Sequence, residues 1–198
     1  MLYVTTRNDA DAFTAPRTLL SDQATDGGYY IPFRLPTFST EELTTMRHNS
    51  FSQNVTDILN LFFNTNLECG IVDFCIGRNM IRFVPVNFRM IMMETFHNSE
   101  GSYDLILDEL SKKLNPGNGT TLWERTAIRI SVIIAIFCQM MEAGVVNADQ
   151  PVDLAVNAND TTELLAAWYA RKMGLPIATI ICGCTDNDSL WNFIHRGQ

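Results

Sequence analysis

The sequence carries little charge, and most of that charge is negative. Asp and Glu number 22 against 14 Lys and Arg, so the 198 residues have a net charge of −8. No basic cluster is longer than a pair such as Lys112–Lys113. Because binding to nucleic acid and to anionic lipid depends on clustered Lys and Arg, the composition predicts a protein that binds neither nucleic acid nor a membrane.

Long hydrophobic runs and a regular cysteine pattern are also missing. The first residues lack the basic and apolar regions of a signal peptide, and the longest apolar run, from Ile130 to Met141, is too short to span a bilayer. We therefore expect a cytoplasmic protein. The five cysteines suggest no disulfide framework, and Cys182–Cys184 has no further ligands at zinc-site spacing. Reduced, mostly buried thiols and no metal site are predicted.

Local signals for turns and helix starts are, by contrast, clear in the first part of the chain. The segment Asp26–Pro32 predicts a tight turn that leads into an extended segment, because two glycines follow an aspartate. Ser39 and Glu42 have the spacing of a capping box, and Phe38 is placed to pack on Leu43. A helix is therefore predicted to begin after Ser39.

Apolar spacing predicts two helices that face the core. Four apolar residues recur on one helical face: Val55, Ile58, Leu59 and Phe62. The segment Thr121–Glu124 offers a second capping box and opens a long helix to about Ala143. This helix is apolar on most sides, which is typical of a helix that is buried or covered by a partner.

The middle of the chain predicts two strands and an amphipathic helix. The strands are Ile81–Val86 and Met90–Phe96, and the helix begins at Ser102. Its charges are spaced for i,i+4 pairs, Asp108 with Lys112 and Glu109 with Lys113.

The last third predicts a βαβ unit. A strand at Val152–Val156, a helix at Thr161–Met173 and an apolar strand at Ile177–Cys182 follow in order, with Gly174 placed to end the helix. Strands joined in this way run parallel, and parallel strands are normally covered on both faces. A short final helix is predicted from Asp188 to about His195.

The turn between this strand and helix is where a βαβ unit would bind a phosphate. Residues 157–163 contain no glycine, although close approach of a phosphate to backbone amides favours glycine. Asp160 and Glu163 have capping-box spacing, so their carboxylates would compete with an anion for the positive helix end. A self-capped helix is favoured over an anion site.

The order of these landmarks resembles threonine synthase, a pyridoxal-phosphate enzyme of fold type II. Asp26–Pro32 and Leu35–Leu43 are similar to the start of that family, and Phe96–His97 matches the opening of its lysine-containing Phe-His motif. Ala166–Ile177 resembles its Ala-Gly-Tyr-Tyr-Ala-Lys-Lys-Met-Gly-Leu-Pro-Ile stretch, and Thr185–Asp188 resembles its Thr-Asn-x-Asn-Asp region. The resemblance implies the fold of that family along much of the chain.

Several family features are absent. The motif that opens at Phe96–His97 places its Schiff-base lysine at Asp104, and the glycine-rich phosphate loop falls on Ala158–Thr162, where both glycines are lost. The segment that carries the family's second glycine-containing loop is missing between Asp104 and Thr121. The resemblance therefore implies that pyridoxal phosphate is no longer bound covalently, and we expect no cofactor.

We predict an α/β fold, with a small N-terminal α+β domain followed by a reduced three-layer parallel-sheet domain that resembles the threonine synthase catalytic domain. Residues 1–94 form the first domain. Residues 95–198 form a truncated remnant of the catalytic domain, with the βαβ unit at 152–182.

Three hypotheses on function remain open. The first is a catalytically inactive pseudoenzyme that acts as a binding or assembly module. The second is a small-molecule-binding protein or an enzyme, such as a lyase, that uses the remnant pocket with altered chemistry. The third is a structural subunit of a homo-oligomer, or of a complex with another chain, that covers an exposed sheet.

The remnant pocket of the second hypothesis would lie between two polar turns. Its candidate residues are His97, Asn98, Ser99, Tyr103, Asn157, Asn159, Asp160, Thr161 and Thr162. A polar, acidic pocket of this kind would suit an amine or a metal ion better than a phosphate. If an aldimine forms at all, Lys112, Lys113 or Lys172 would have to supply the amine.

Overall fold

A computed structural model of the chain describes residues 1–76, 81–95, 109, 112–113, 121–157, 161–183 and 188–197. The helices are α1 (Ala15–Thr18), α2 (Thr40–Met46), α3 (Phe51–Phe63), α4 (Cys69–Ile76), α5 (Leu122–Glu142), α6 (Thr161–Lys172) and α7 (Asp188–Arg196). The strands are β1 (Leu2–Thr5), β2 (Phe13–Thr14), β3 (Tyr30–Pro32), β4 (Ile81–Asn87), β5 (Met90–Thr95), β6 (Val152–Asn157) and β7 (Ile177–Gly183). Helices and strands mix as predicted for an α/β fold.

The N-terminal strands form an antiparallel sheet of order β2-β1-β3. The turn predicted before β3 is confirmed, because Gly27 has a positive φ of 73° and its N–H donates to the Ala24 carbonyl at 2.9 Å. Tyr3 ties this sheet to the helices, since its hydroxyl donates to the Phe62 carbonyl at 2.8 Å. Burial raises the pKa of the Tyr3 hydroxyl, so this donor stays protonated.

The capping boxes predicted at Ser39 and at Thr121 are confirmed, while Asp160, the predicted cap at the start of α6, lies outside the described residues. At α2 the Ser39 N–H donates to Glu42 Oε2 at 2.7 Å, and the Ser39 hydroxyl accepts from the Glu42 N–H at 3.2 Å. The same reciprocal pair joins Thr121 and Glu124 at the start of α5. Each box satisfies N–H groups that have no partner within the helix.

The core lies between α3, α5 and α6. The predicted apolar face of α3 is fully buried, and α5 is buried along its length. Trp123 stands at the centre, with its ring centroid 5.5 Å from Phe62, 5.6 Å from Tyr169 and 5.7 Å from Tyr3. Edge-to-face contacts of this kind stabilise a core beyond simple burial of area. The hydrophobic cluster draws side chains from residues 3–75 and from 123–177, and the domain boundary near residue 94 stays a prediction.

Strands β4 and β5 pair as an antiparallel hairpin, which confirms both predicted strands. The hairpin carries several apolar side chains on the surface: Val86, Phe88, Met90 and Met92 are all exposed, and Phe88 is 91% exposed. The helix predicted from Ser102 lies largely outside the described residues. Within it, Glu109, Lys112 and Lys113 are helical, and Glu109 pairs with Lys112 at 2.9 Å, while Lys113 donates to the Asn66 carbonyl at 3.1 Å.

The predicted βαβ unit is confirmed. Strands β6 and β7 pair in parallel, with α6 as the crossover helix. Gly174 ends this helix with φ of 113°, and its N–H donates to the Arg171 carbonyl at 3.2 Å. The final helix, α7, is confirmed as well.

The prediction that both faces of this parallel pair are covered is wrong. Val152, Leu154 and Ile180 pack against the core, because α6 crosses over on that side. The other face consists of Asp153, Ala155, Thr179 and Ile181, all exposed, and we call these four residues the open face. It stays in contact with solvent because none of the described helices packs on it.

Among the described residues, no helix is both long and apolar enough to cross a bilayer.

Candidate functional site

The start of α6 is the place where the sequence predicts the remnant pocket. Asn157 ends β6 and pairs with Gly183 of β7, and α6 begins four residues later at Thr161. Thr161 is exposed, while Thr162 is buried. A helix start of this kind carries unpaired N–H groups and a positive partial charge.

Arg129 of α5 reaches this helix start. Its guanidinium donates from a terminal nitrogen to the Thr162 hydroxyl, and its Nε lies 4.0 Å from Glu163 Oε1. The Arg129 side chain is only 18% exposed, so the interaction takes place partly out of water. The positive charge nearest the helix start is thus engaged by groups of the same chain, and Glu163 adds a negative charge in the first turn of α6.

Sequence reasoning missed Arg129. The signal was present, because Arg129 interrupts an otherwise apolar stretch of the buried helix α5. A charged side chain in such a helix needs a hydrogen-bonding partner, and the polar helix start at Thr162 supplies one.

Most of the other candidate residues lie outside the described residues. This is true of His97, Asn98, Ser99, Tyr103, Asn159 and Asp160, and also of Asp104, the position of the family's lysine. The structure therefore brings together Thr161, Thr162 and the end of β6, and adds Arg129 and Glu163 to them.

All three lysines of the sequence lie in the described part of the chain. Lys112 pairs with Glu109, and Lys113 donates to the carbonyl of Asn66 in the loop that follows α3. Lys172 is the last residue of α6, with its Nζ 5.4 Å from the ring centroid of the exposed Trp168. At 1.5 Å per residue its Cα stands roughly 16 Å along the helix from Thr161.

Neither Cys69 nor Cys138 is an activated nucleophile. Burial raises the pKa of the Cys138 thiol to about 12, and burial with the nearby Asp73 carboxylate raises the pKa of Cys69. A thiol with a raised pKa is protonated near neutral pH and reacts poorly. Within the described residues, no three His, Cys, Asp or Glu side chains come together as a metal site.

A second feature is an apolar cavity of about 630 Å³ beside the open face. The hairpin, α5 and the β6–β7 pair all contribute to its walls, and Asp153 and Arg89 are its charged residues. Its apolar lining includes Met90, Met92, Ile136, Met140, Ala155 and Ile181. Cavities of this volume fall within the range that binds small molecules or side chains of a partner.

Comparison with known proteins agrees with this architecture. Residues 2–78 match the family model described as the threonine synthase N terminus. Threonine synthase-like 1 of Homo sapiens is 29% identical over 76 residues, and that of Mus musculus is 31% identical over 76 residues. Each alignment covers 38% of this chain and 10% of the relative, so the match spans about a tenth of the length of these curated relatives.

The fold is similar to that of solved threonine synthases. The pyridoxal-phosphate-bound threonine synthase of Brucella melitensis superposes with a TM-score of 0.76 at 16% identity, covering 100% of this chain and 63% of that one. The Escherichia coli enzyme gives a TM-score of 0.72 at 16% identity, covering 100% of this chain and 67% of that one.

The chain thus has an α/β fold similar to that of threonine synthases. Together with the match of residues 2–78 to the family model, this fold shows that the chain is related to the threonine synthase family.

Proposed function

We propose that this chain is a threonine synthase-like protein without pyridoxal-phosphate chemistry, and that it acts as a binding or assembly module. The observation that carries the proposal is the placement of its three lysines. Covalent attachment of pyridoxal phosphate requires a lysine amine. Lys112 is engaged by Glu109 and Lys113 by the Asn66 carbonyl, and Lys172 lies at the opposite end of α6 from the helix start, at which a βαβ unit would receive the phosphate.

The electrostatics at the start of α6 support the same proposal. Arg129 would be the natural partner of a phosphate here, but it is engaged with the Thr162 hydroxyl and with the Glu163 carboxylate. A phosphate would have to displace these contacts and approach a carboxylate. The residues present therefore do not fit a covalently held pyridoxal phosphate, and no reaction step is assigned through it.

The surface supports the binding or assembly part of the proposal. The open face, the hairpin and α7 together expose apolar side chains, among them Phe88, Ile181 and Phe193. Exposed apolar patches on a folded protein commonly mark a binding site. A cytoplasmic location stays a prediction.

The test is an absorbance titration of the purified, untagged full chain with pyridoxal phosphate, followed by borohydride reduction and intact-mass measurement. We expect no saturable aldimine band and no stoichiometric adduct. The matched control is the lysine-free variant with K112R, K113R and K172R, in which the terminal amine remains the only primary amine.

The two proteins separate the outcomes. If the wild type and the lysine-free variant form the same amount of adduct, pyridoxal phosphate has reacted at the terminal amine, and the result agrees with the proposal. A saturable adduct in the wild type that the lysine-free variant loses would mean that a lysine has taken over the cofactor, and it would overturn the proposal. Formation of threonine from O-phosphohomoserine by the wild-type chain would overturn it as well.

A further inference from the structure

The last described helix, α7, is amphipathic, and its apolar side faces solvent. Trp191, Phe193 and Ile194 are 48%, 66% and 55% exposed. At 100° per residue these three side chains fall within an arc of about 160°, with Ile194 between the other two. A free apolar helix face of this kind normally packs against a second surface.

The open face of the β6–β7 pair is the complementary surface. Parallel sheets occur almost only with helices on both faces, and here none of the helices in the described part of the chain packs on the open face. Ala155 and Ile181 present apolar side chains there, and the cavity beside them is walled by Met90 and Met92. Methionine side chains adapt their shape readily to an incoming apolar group.

The dimensions of the two surfaces agree. A helix of nine residues, such as α7, is about 13 Å long. Strands of six and seven residues, such as β6 and β7, run for about 20 Å. The helix is therefore shorter than the two strands and can lie across the open face without passing either end of them.

The charges at the two surfaces are complementary. Arg196 ends α7, with its guanidinium 5.4 Å from the Trp191 ring centroid, beside the apolar side of the helix. Asp153 is exposed on the open face and is a charged residue of the cavity wall. Although the whole chain is acidic, this end of α7 is basic and would meet a carboxylate.

We propose that two copies of this chain associate by placing the α7 helix of each copy on the open face of the other. Each copy offers both surfaces, and the contact made twice about a two-fold axis closes as a dimer. Phe193 and Ile194 enter the cavity beside Ile181, and Arg196 approaches Asp153. This rests on the proposed function, because it names the surface through which the assembly module assembles.

The first experiment measures the molar mass of the full chain by sedimentation equilibrium across the micromolar range. We expect a reversible monomer–dimer equilibrium. The double variant F193A/I194A should weaken dimerisation by at least about tenfold, and alanine preserves the helical tendency of α7. I181T should weaken it in the same direction while keeping a β-branched residue in the strand.

The matched control is F74A. Phe74 lies on α4, is 81% exposed, and belongs to neither surface, so its removal should leave the dissociation constant unchanged. The charge contact has its own rescue test. R196D places like charges together and should weaken association by about threefold or more, whereas D153R/R196D restores opposite charges and should recover most of the loss.

A chain that stays monomeric across this range overturns the proposal. So does a dimer that F193A/I194A weakens no more than F74A does, and so does a monomer that retains an apolar small molecule in the cavity, detected by native mass spectrometry. Circular dichroism checks that each surface variant is folded. If an apolar variant does not fold, R196D and D153R/R196D still test the proposed interface. These results are independent of adduct formation with pyridoxal phosphate, so the two proposals can fail separately.

Discussion

Two regions of this molecule contain the same types of apolar residue but bury them to different extents. Between α3 and α5, Phe62 and Ile130 are fully buried. On the hairpin and the open face, Phe88 and Ile181 are 91% and 51% exposed. Residue type alone therefore does not decide burial. Burial depends on how many helices and strands pack against each face of an element. Other helices and a sheet pack against α3, whereas a helix packs against one side of β7.

The largest expected difference between the two regions comes from one matched substitution. F62A should lower the free energy of unfolding by about 3–5 kcal/mol, because it removes a fully buried ring and its edge contact with Trp123. F88A should change it by no more than about 0.5 kcal/mol, since the ring is already in water. Urea denaturation followed by circular dichroism measures both.

The contrast between the two regions would be wrong if F62A and F88A lowered the free energy of unfolding by the same amount. A large loss for F88A would mean that the hairpin ring is covered in solution. A small loss for F62A would mean that the core between α3 and α5 is loosely packed.

The sequence predicts the first of these regions better than the second, for a physical reason. The start of α2 at Ser39 and that of α5 at Thr121 depend on hydrogen bonds between residues three apart, so a short stretch of sequence suffices. The buried face of α3 follows from periodicity in the same way. Helix α4 carries neither a capping signal nor a clear apolar stripe, and its sequence did not predict it.

The exposure of Ile181 could not be predicted from its strand, whose apolar run is the ordinary pattern of a strand covered on both sides. Whether a face of the strand is covered depends on which helices and strands from other parts of the chain pack against it. The same holds for the candidate site. Thr161 and Thr162 could be placed at a helix start from local spacing, but the approach of Arg129 from α5 is a tertiary contact over 33 residues.

A smaller effect is expected at Gly174, where the βαβ unit meets the N-terminal region. A Cβ here would lie 2.3 Å from the Phe38 carbonyl oxygen, and φ of 113° is unfavourable for any other residue. Phe38 cannot move away freely, because its N–H donates to the Met173 carbonyl at 2.7 Å. G174A should therefore lower the free energy of unfolding by about 2–3 kcal/mol.

Gly144 provides the control for this substitution. It also has a positive φ, 71°, but a Cβ there would meet nothing within 4 Å. G144A should cost about 1 kcal/mol from backbone strain alone. Urea denaturation of both variants gives the difference between their losses of stability, and this difference measures the contact of Gly174 with Phe38. Equal losses would show that the βαβ unit and the N-terminal region are loosely packed at this point.

The smallest expected effect concerns Cys138, on the buried side of α5. Burial raises the pKa of its thiol from the ordinary value of 9.0 to about 12 in the folded chain. Between these values the unfolded chain has lost the thiol proton while the folded chain keeps it, so stability falls as pH rises through this window. One pH unit above 9.0 the loss reaches about 1 kcal/mol.

The measurement is the change in the free energy of unfolding between pH 7.5 and pH 10, compared within the wild type and within C138A. Comparing each protein with itself removes the cost of the small cavity that alanine leaves. C138A should lose less stability over this interval than the wild type does, by about 1 kcal/mol. Equal losses would mean that water reaches the Cys138 thiol, and that the buried side of α5 is more hydrated than the contrast with the open face requires.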